Sequence, residues 1–205
     1  MKTGKLRLSS RELGMTEALV LTERIGSEAG LERKQVLHLR LLAEELFGML
    51  RGIAGEVEAD YWLSAEGRRF ELHMRAQVDL TDEMRRQLLA ASSSGENAAA
   101  RGVMGKLRVM IAETLFSRSA KQDLGLGLSL GMMDMASATG NSADSGQYLW
   151  TLNQYRDEVE RLSKEDRRAT EAWDELEKSI VANVADDVRV SILGSAVEIA
   201  VYKTF

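Results

Sequence analysis

The chain contains no cysteine. Disulfides and thiolate metal sites are therefore excluded. It has two histidines, His38 and His73, too few for a multi-histidine metal centre. A magnesium site built from carboxylates stays compatible with the composition. Proline is absent as well, so helix ends have to be read from glycine and from capping residues. There is no long basic run, and the formal net charge is −5. A nucleic-acid surface needs a concentrated basic footprint, so no nucleic-acid partner is expected. No stretch has the uninterrupted apolar length that crosses a bilayer, and the opening MKTGKLRLSS lacks the apolar core of a signal peptide. The expectation is a cytoplasmic protein with no membrane partner.

What is present is ordinary globular material. Hydrophobic residues make up 44% and charged residues 29%, close to average usage. The length of 205 residues suits a single domain over 1–205, large enough to bury most of its apolar surface in one core.

Periodicity places the elements. Lys5 to Leu8 alternates and reads as an edge strand. Ser9 and Ser10 offer N-caps for a first amphipathic helix through Met15, Leu19 and Ile25, ending near Gly30. Glu32 to Ile53 is the strongest helical segment: Val36, Leu39, Leu42, Leu46, Met49, Leu50 and Ile53 recur at three- and four-residue spacing, interrupted by Glu44, Glu45 and Arg51. Val57 to Ser64 and Arg68 to Val78 read as strands joined at Glu66-Gly67. Helical patterns follow at Leu80 to Ala91 and Glu96 to Phe116, then an irregular Gly-, Ser- and Met-rich stretch over Gly125 to Gly146. Tyr148 to Tyr155 reads as a strand, Asp166 to Ala185 as a helix, and Val188 to Ile192 with Val197 to Tyr202 as a hairpin around Leu193-Gly194-Ser195. The pattern fits helices packed on one face of a mostly antiparallel sheet.

Two stretches resemble one family. The strand and helix of RELGMTEALVLTERIGSEAG, followed by LRLLAEELFGMLRGIAG, resemble the opening of bacterial anti-sigma-factor serine kinases of the histidine-kinase-like (GHKL) ATPase superfamily. The closing ELEKSIVANVADDVRVSILGSAVEIAVYKTF is similar to that family's last helix and terminal hairpin, with Asp186, Asp187, Val188, Lys203 and Phe205 at the D-x-V and K-x-F-like positions. The likeness covers roughly the first 80 and the last 40 residues, as a sequence pattern. It implies an α+β two-layer sandwich, with a mixed, mostly antiparallel sheet covered on one face by helices. It also implies a helical insertion at 81–165 in the place of the family's nucleotide lid.

The resemblance assigns roles residue by residue. Glu44 or Glu45 stands where the family has its catalytic glutamate. Four residues on, the family has a magnesium-binding Asn; here Gly48 and Met49 stand there. Asp79 or Asp82, in VDLTDEM, follows the second hairpin strand where the adenine-binding Asp is expected, without the glycines that let backbone approach the base. The phosphate-cradling glycines are missing before the last helix, where RRATEAWDELE stands. Displaced candidates are Gly125 and Gly127 in DLGLGLSLGMM, and RGVMGKL with Gly102 and Gly105.

Each candidate has a plainer reading. Glu44 and Glu45 also suit the polar face of an amphipathic helix. The Gly125–Gly127 run also suits any irregular loop. Gly102 and Gly105 suit a close helix crossing. Asn183, in SIVANVADDV, imitates the missing Asn box but falls in the terminal helix by chain order. Trp62, Trp150 and Trp173 read as core or interface anchors. Met104, Met110, Met132, Met133 and Met135 read as core filler, or as a partner-binding flap.

Two functions are expected from this. The first is an ATP-binding regulatory domain resembling the anti-sigma-factor kinases, with degenerate nucleotide motifs, ATP and magnesium as cofactors, and serine kinase activity if it turns over at all. The second is a non-enzymatic protein-interaction module on the same fold. Either expects a protein partner, a sigma factor or anti-anti-sigma-like protein by the resemblance, and admits a homodimer.

Overall fold

The computed structural model describes residues 1–11, 13–51, 57–78, 111, 147–163 and 167–205. The elements are β1 (Leu6–Ser9), α1 (Met15–Glu28), α2 (Arg33–Arg51), β2 (Glu58–Glu66), β3 (Arg69–Gln77), β4 (Gln147–Thr151), α3 (Leu152–Leu162), α4 (Arg167–Lys178), α5 (Ile180–Val184), β5 (Asp187–Leu193) and β6 (Ala196–Thr204). The strands form one six-stranded sheet in the order β1-β2-β3-β6-β5-β4. All five pairings among the described strands are antiparallel.

Alternation divides the sheet into two faces. Ala59, Tyr61, Leu63 and Ala65 of β2 share one face with Phe70, Leu72, Met74 and Ala76 of β3, with Val197, Ile199 and Val201 of β6, and with Val188, Val190 and Ile192 of β5. These residues are buried together with Leu39, Leu42, Leu46 and Phe47 of α2, Ala18 and Ile25 of α1, and Leu152, Tyr155 and Val159 of α3. The chain is thus the expected α+β sandwich, with helices over one face of an antiparallel sheet.

The start of α1 departs from expectation. Ser9 and Ser10 do not cap it. The Ser9 hydroxyl accepts from Arg11 N–H, and the Ser10 hydroxyl accepts from Val57 N–H. Both serines therefore serve the bend that leads away from β1. The residue preceding the helix is Gly14, in a left-handed conformation with φ 75° and no side-chain cap. The other end follows the sequence: Gly30, at φ 76°, donates to Ser27 O while Leu31 donates to Gly26 O. Those paired bonds are the glycine-terminated helix stop.

Two boundaries moved near the C-terminal third. Tyr148 to Tyr155 is not one strand. Thr151 accepts from Gln154 N–H at 3.2 Å and caps α3, so β4 turns directly into a helix that the alternating sequence concealed. The single helix expected over 166–185 is broken at Ser179, whose extended backbone and hydroxyl cap α5 through Ala182 N–H. Of the stretch 81–165 assigned to a lid, residues 147–163 form β4 and α3, which join the sheet and core. The expected helices at 80–91 and 96–116, and the irregular run 125–146, lie outside the described residues apart from position 111.

Candidate functional site

Helix α2 presents the candidate carboxylates. Its buried stripe of Leu39, Leu42, Ala43, Leu46, Phe47 and Met49 turns the other side of the helix away from the sheet. Successive helical residues are about 100° apart, so Glu44 and Glu45 do not share a face. Glu44 lies in line with Arg40 one turn before it and Gly48 one turn after it. Arg40 Nε donates to Glu44 Oε1 at 2.8 Å, and Arg40 Nη1 donates to Glu23 of α1. The two hydrogen bonds, Glu23 first and Glu44 second, raise the guanidinium's affinity for its proton. Glu44 is therefore a paired carboxylate at the α1–α2 seam.

The two positions four residues on differ sharply. Met49 is 1% exposed and belongs to the core, so position 49 faces away from any ligand on the outer side of α2. At Gly48 an added Cβ would meet nothing within 4 Å among the described residues. Of the two spacings, only Glu44–Gly48 keeps both positions off the buried stripe of α2.

The remaining sequence candidates fare unequally. Asp79, Asp82, Gly125 and Gly127 lie outside the described residues, as do Gly102 and Gly105. Asn183 is structural: its side-chain amide donates to Glu177 O at 2.8 Å and satisfies a carbonyl near the end of α4. Trp150 packs against the main core. Among the described residues no group of three or more His, Asp or Glu side chains has metal-site geometry.

A cleft of about 450 Å³ opens elsewhere, between α3, α4, α5 and the end of β6. Its size falls in the range of ligand pockets, and its walls include Arg156, Trp173, Glu177, Asn183, Asp186 and Lys203. Neither Glu44 nor Glu45 lines it. Its polar groups bond one another. Arg156 donates to Ala182 O at 2.6 Å, Trp173 to Glu177 at 3.1 Å, and Lys203 to Asp186 at 2.9 Å. The first joins α3 to α5, the second lies within α4, and the third ties β6 to the residue before β5.

Asp186 carries a testable pH dependence. Partial burial pushes its carboxyl up, but Lys203 and the Thr204 N–H together outweigh that and hold it below the usual aspartate range. A carboxyl lowered by folding adds stability above its unfolded pKa, and that stability disappears as pH falls through the folded value. Asp186→Asn should therefore destabilise the protein at pH 6 and lose that effect below about pH 4. Denaturant titrations of both proteins at a series of pH values check this; a constant gap down to pH 3 would contradict it.

The second face of the sheet holds a constellation that the sequence reading missed. Trp62 of β2 and His73 of β3 are register partners, and their rings stack at 4.9 Å and 4°. Lys5 Nζ lies over the same Trp62 ring. His73 Nε2 is 3.5 Å from Glu71, and Nδ1 is 3.6 Å from Glu198 of β6. Farther along, Arg189 sits over the Tyr202 ring at 4.6 Å. Alternation put His73 among the polar residues of β3, and Trp62 reads as a core or interface anchor; only the register brings the two into contact.

Comparison with protein-family models, with curated proteins and with solved structures gave no match.

Proposed function

We propose that the chain is an ATP-binding regulatory domain of the histidine-kinase-like plan, similar to anti-sigma-factor kinases, that acts by nucleotide occupancy and protein contact. The observation that carries this reading is the line Arg40, Glu44, Gly48 on the outer face of α2, with open space at Gly48 among the described residues. By the resemblance, Glu44 would stand for the family's glutamate, with Gly48 in the place of its magnesium-binding Asn. Asp79 or Asp82 would hold adenine, Gly125 and Gly127 would contact phosphates, and Glu44 or Glu45 would face the reacting end.

Weak or absent turnover follows from the same line. Phosphoryl transfer relies on positioning and on magnesium to neutralise developing charge. Without the Asn, magnesium loses a ligand, and a Glu44 tied to Arg40 is a poor base. The protein partner would be a sigma factor or an anti-anti-sigma-like protein, and the compartment the cytoplasm. Any residual activity would be ATP-dependent serine phosphorylation.

Titration calorimetry with ATP, with and without magnesium, tests the reading. Saturable binding at micromolar to millimolar ATP is expected, weakened by Asp79→Ala. No heat at millimolar ATP would overturn it. The second reading, a protein-interaction module without nucleotide, draws on the burial of Met49 and the engagement of Glu44. It gains if Asp79→Ala and Glu44→Ala leave biological activity intact while deletions within 81–146 abolish it.

A further inference from the structure

We propose that the cleft between α3, α4, α5 and the end of β6 is a second ligand site, which takes a small aromatic oxyanion: a carboxylate or phosphate held by Arg156 and Lys203, with its ring against Trp173. The site does not depend on the nucleotide reading, since Glu44 and Glu45 stand outside this cleft. Its volume is about 450 Å³, enough for a molecule of this kind. Part of its lining is apolar: Leu176, Ala182 and Ala185 are all buried. Trp173 adds a half-buried indole to the wall. The indole N–H donates to Glu177 one turn on, at 3.1 Å, which steadies the ring. Aromatic pairs gain beyond the area they bury, so a ligand with a ring is favoured over one without.

The charges set the sign of the ligand. Arg156 is half-buried, and its bonds go to neutral acceptors, Ala182 O at 2.6 Å and Asn153 Oδ1 at 3.4 Å. No carboxylate pairs with it among the described residues. A partly desolvated cation without a counter-ion is unfavourable, and an oxyanion in the cleft supplies one. The guanidinium has five N–H donors, and its planar fork suits carboxylate and phosphate alike. Lys203 is the second cation. Its partner Asp186 is engaged on both oxygens, Oδ1 by Lys203 at 2.9 Å and Oδ2 by the Thr204 N–H at 2.6 Å. That acid is matched within the protein, while the ammonium, with three donors, keeps N–H groups for a ligand. Glu177 is the other acid of the lining, and it is exposed. Solvent and salt screen an exposed carboxylate, so the more buried Arg156 decides the sign. A guanidinium that only fastens α3 to α5 through Ala182 O would not distinguish one small molecule from another.

Titration of the full chain with phenyl phosphate, followed by NMR of the three indole N–H groups, tests the site. Trp173→Phe identifies which signal belongs to Trp173. Saturable binding in the millimolar range or tighter is expected, the scale for a ligand this small, with the Trp173 signal moving and those of Trp62 and Trp150 unmoved. Benzoate should compete for the same place. Inorganic phosphate lacks the ring and benzyl alcohol lacks the charge, so each should bind about tenfold weaker. Arg156→Gln keeps a donor for Ala182 O but loses the charge, and should weaken phenyl phosphate by about tenfold. Glu177→Gln keeps the acceptor for Trp173 and removes the rim's negative charge, so it should tighten phenyl phosphate by about twofold. Absence of a saturable Trp173 shift, inorganic phosphate binding as tightly as phenyl phosphate, or unchanged affinity in Arg156→Gln overturns the site and leaves the nucleotide reading standing. Displacement of the probe by ATP would make this cleft the nucleotide site and overturn the claim of a second one. Thermal melts report whether each variant is folded; if Arg156→Gln fails to fold, Glu177→Gln decides, and affinity that is unchanged or weaker there overturns the proposal.

Discussion

Gly14→Ala should cost about 3–5 kcal/mol, placing it among the most damaging single substitutions, although it adds only a methyl group. The residue sits at φ 75°, and a Cβ there would lie 2.3 Å from the carbonyl oxygen of Arg7. Two penalties therefore combine. The left-handed conformation costs a non-glycine residue about 1–2 kcal/mol, and the clash is with strand backbone, which cannot swing aside as a flexible side chain would. Arg7 is fixed by its register opposite Asp60 of β2. Relief has to come from α1, whose first residue, Met15, is already in the core. For a domain of this size the melting temperature should fall by roughly 10 °C. Three other glycines supply the controls. Gly67 and Gly194 have φ of 57° and 60° but nothing near a Cβ, so alanine there should cost only the conformational part, about 1 kcal/mol. Gly48 lies inside α2 with open space around it among the described residues, where alanine should stabilise by about 0.5–1 kcal/mol. Melting curves of the four alanine variants check the series. A Gly14→Ala loss no larger than that of Gly67→Ala would mean that the contact with Arg7 is soft.

That glycine also marks the limit of what the sequence discloses. The α2 stripe was legible because Leu39, Leu42, Leu46 and Met49 repeat at helical spacing, and β3 because Phe70, Leu72, Met74 and Ala76 alternate with polar residues. Both signals are local. Gly30 was legible as a helix stop for the same reason. Gly14 was not, because its requirement is the carbonyl of Arg7 in a neighbouring strand, a contact no spacing encodes. The α3 start was hidden because Tyr148 to Tyr155 is too short for periodicity to separate strand from helix, and the Thr151 cap decided it. Of the candidate site, the helical face and the Glu44–Gly48 spacing could be read directly. The Arg40 link to Glu23 could not: Arg40 and Glu44 are an ordinary i, i+4 pair, and the third member arrives from α1.

Phe47→Ala should cost about 3–5 kcal/mol, the range for emptying a buried aromatic site. Phe47 is 2% exposed and meets the edge of the Tyr61 ring at 5.0 Å and 84°, the T-shaped geometry that adds to simple area burial. Tyr61 in turn is fully buried, and burial holds its hydroxyl far above the usual phenol pKa, which the bond with Thr22 only partly offsets. That phenol stays neutral and needs a partner. Thr22 Oγ1 donates its one proton to Ala18 O at 2.7 Å, so the 2.7 Å contact with Tyr61 has the phenol as donor. The chain Phe47, Tyr61, Thr22, Ala18 therefore links α2 to β2 and β2 to α1. Substitutions along it should rank by what each leaves behind. Tyr61→Phe removes a donor and strands nothing, at about 1 kcal/mol. Thr22→Val leaves the phenol buried without an acceptor, at about 1–3 kcal/mol. Phe47→Ala leaves a cavity beneath α2 and should be worst. It should also loosen the seat of the helix that carries Arg40, Glu44 and Gly48. Hydrogen exchange along α2 should then quicken in Phe47→Ala more than in Thr22→Val at matched global stability. Equal protection of α2 in both variants would show that the aromatic pair supports the core as a whole and does not hold this helix in place.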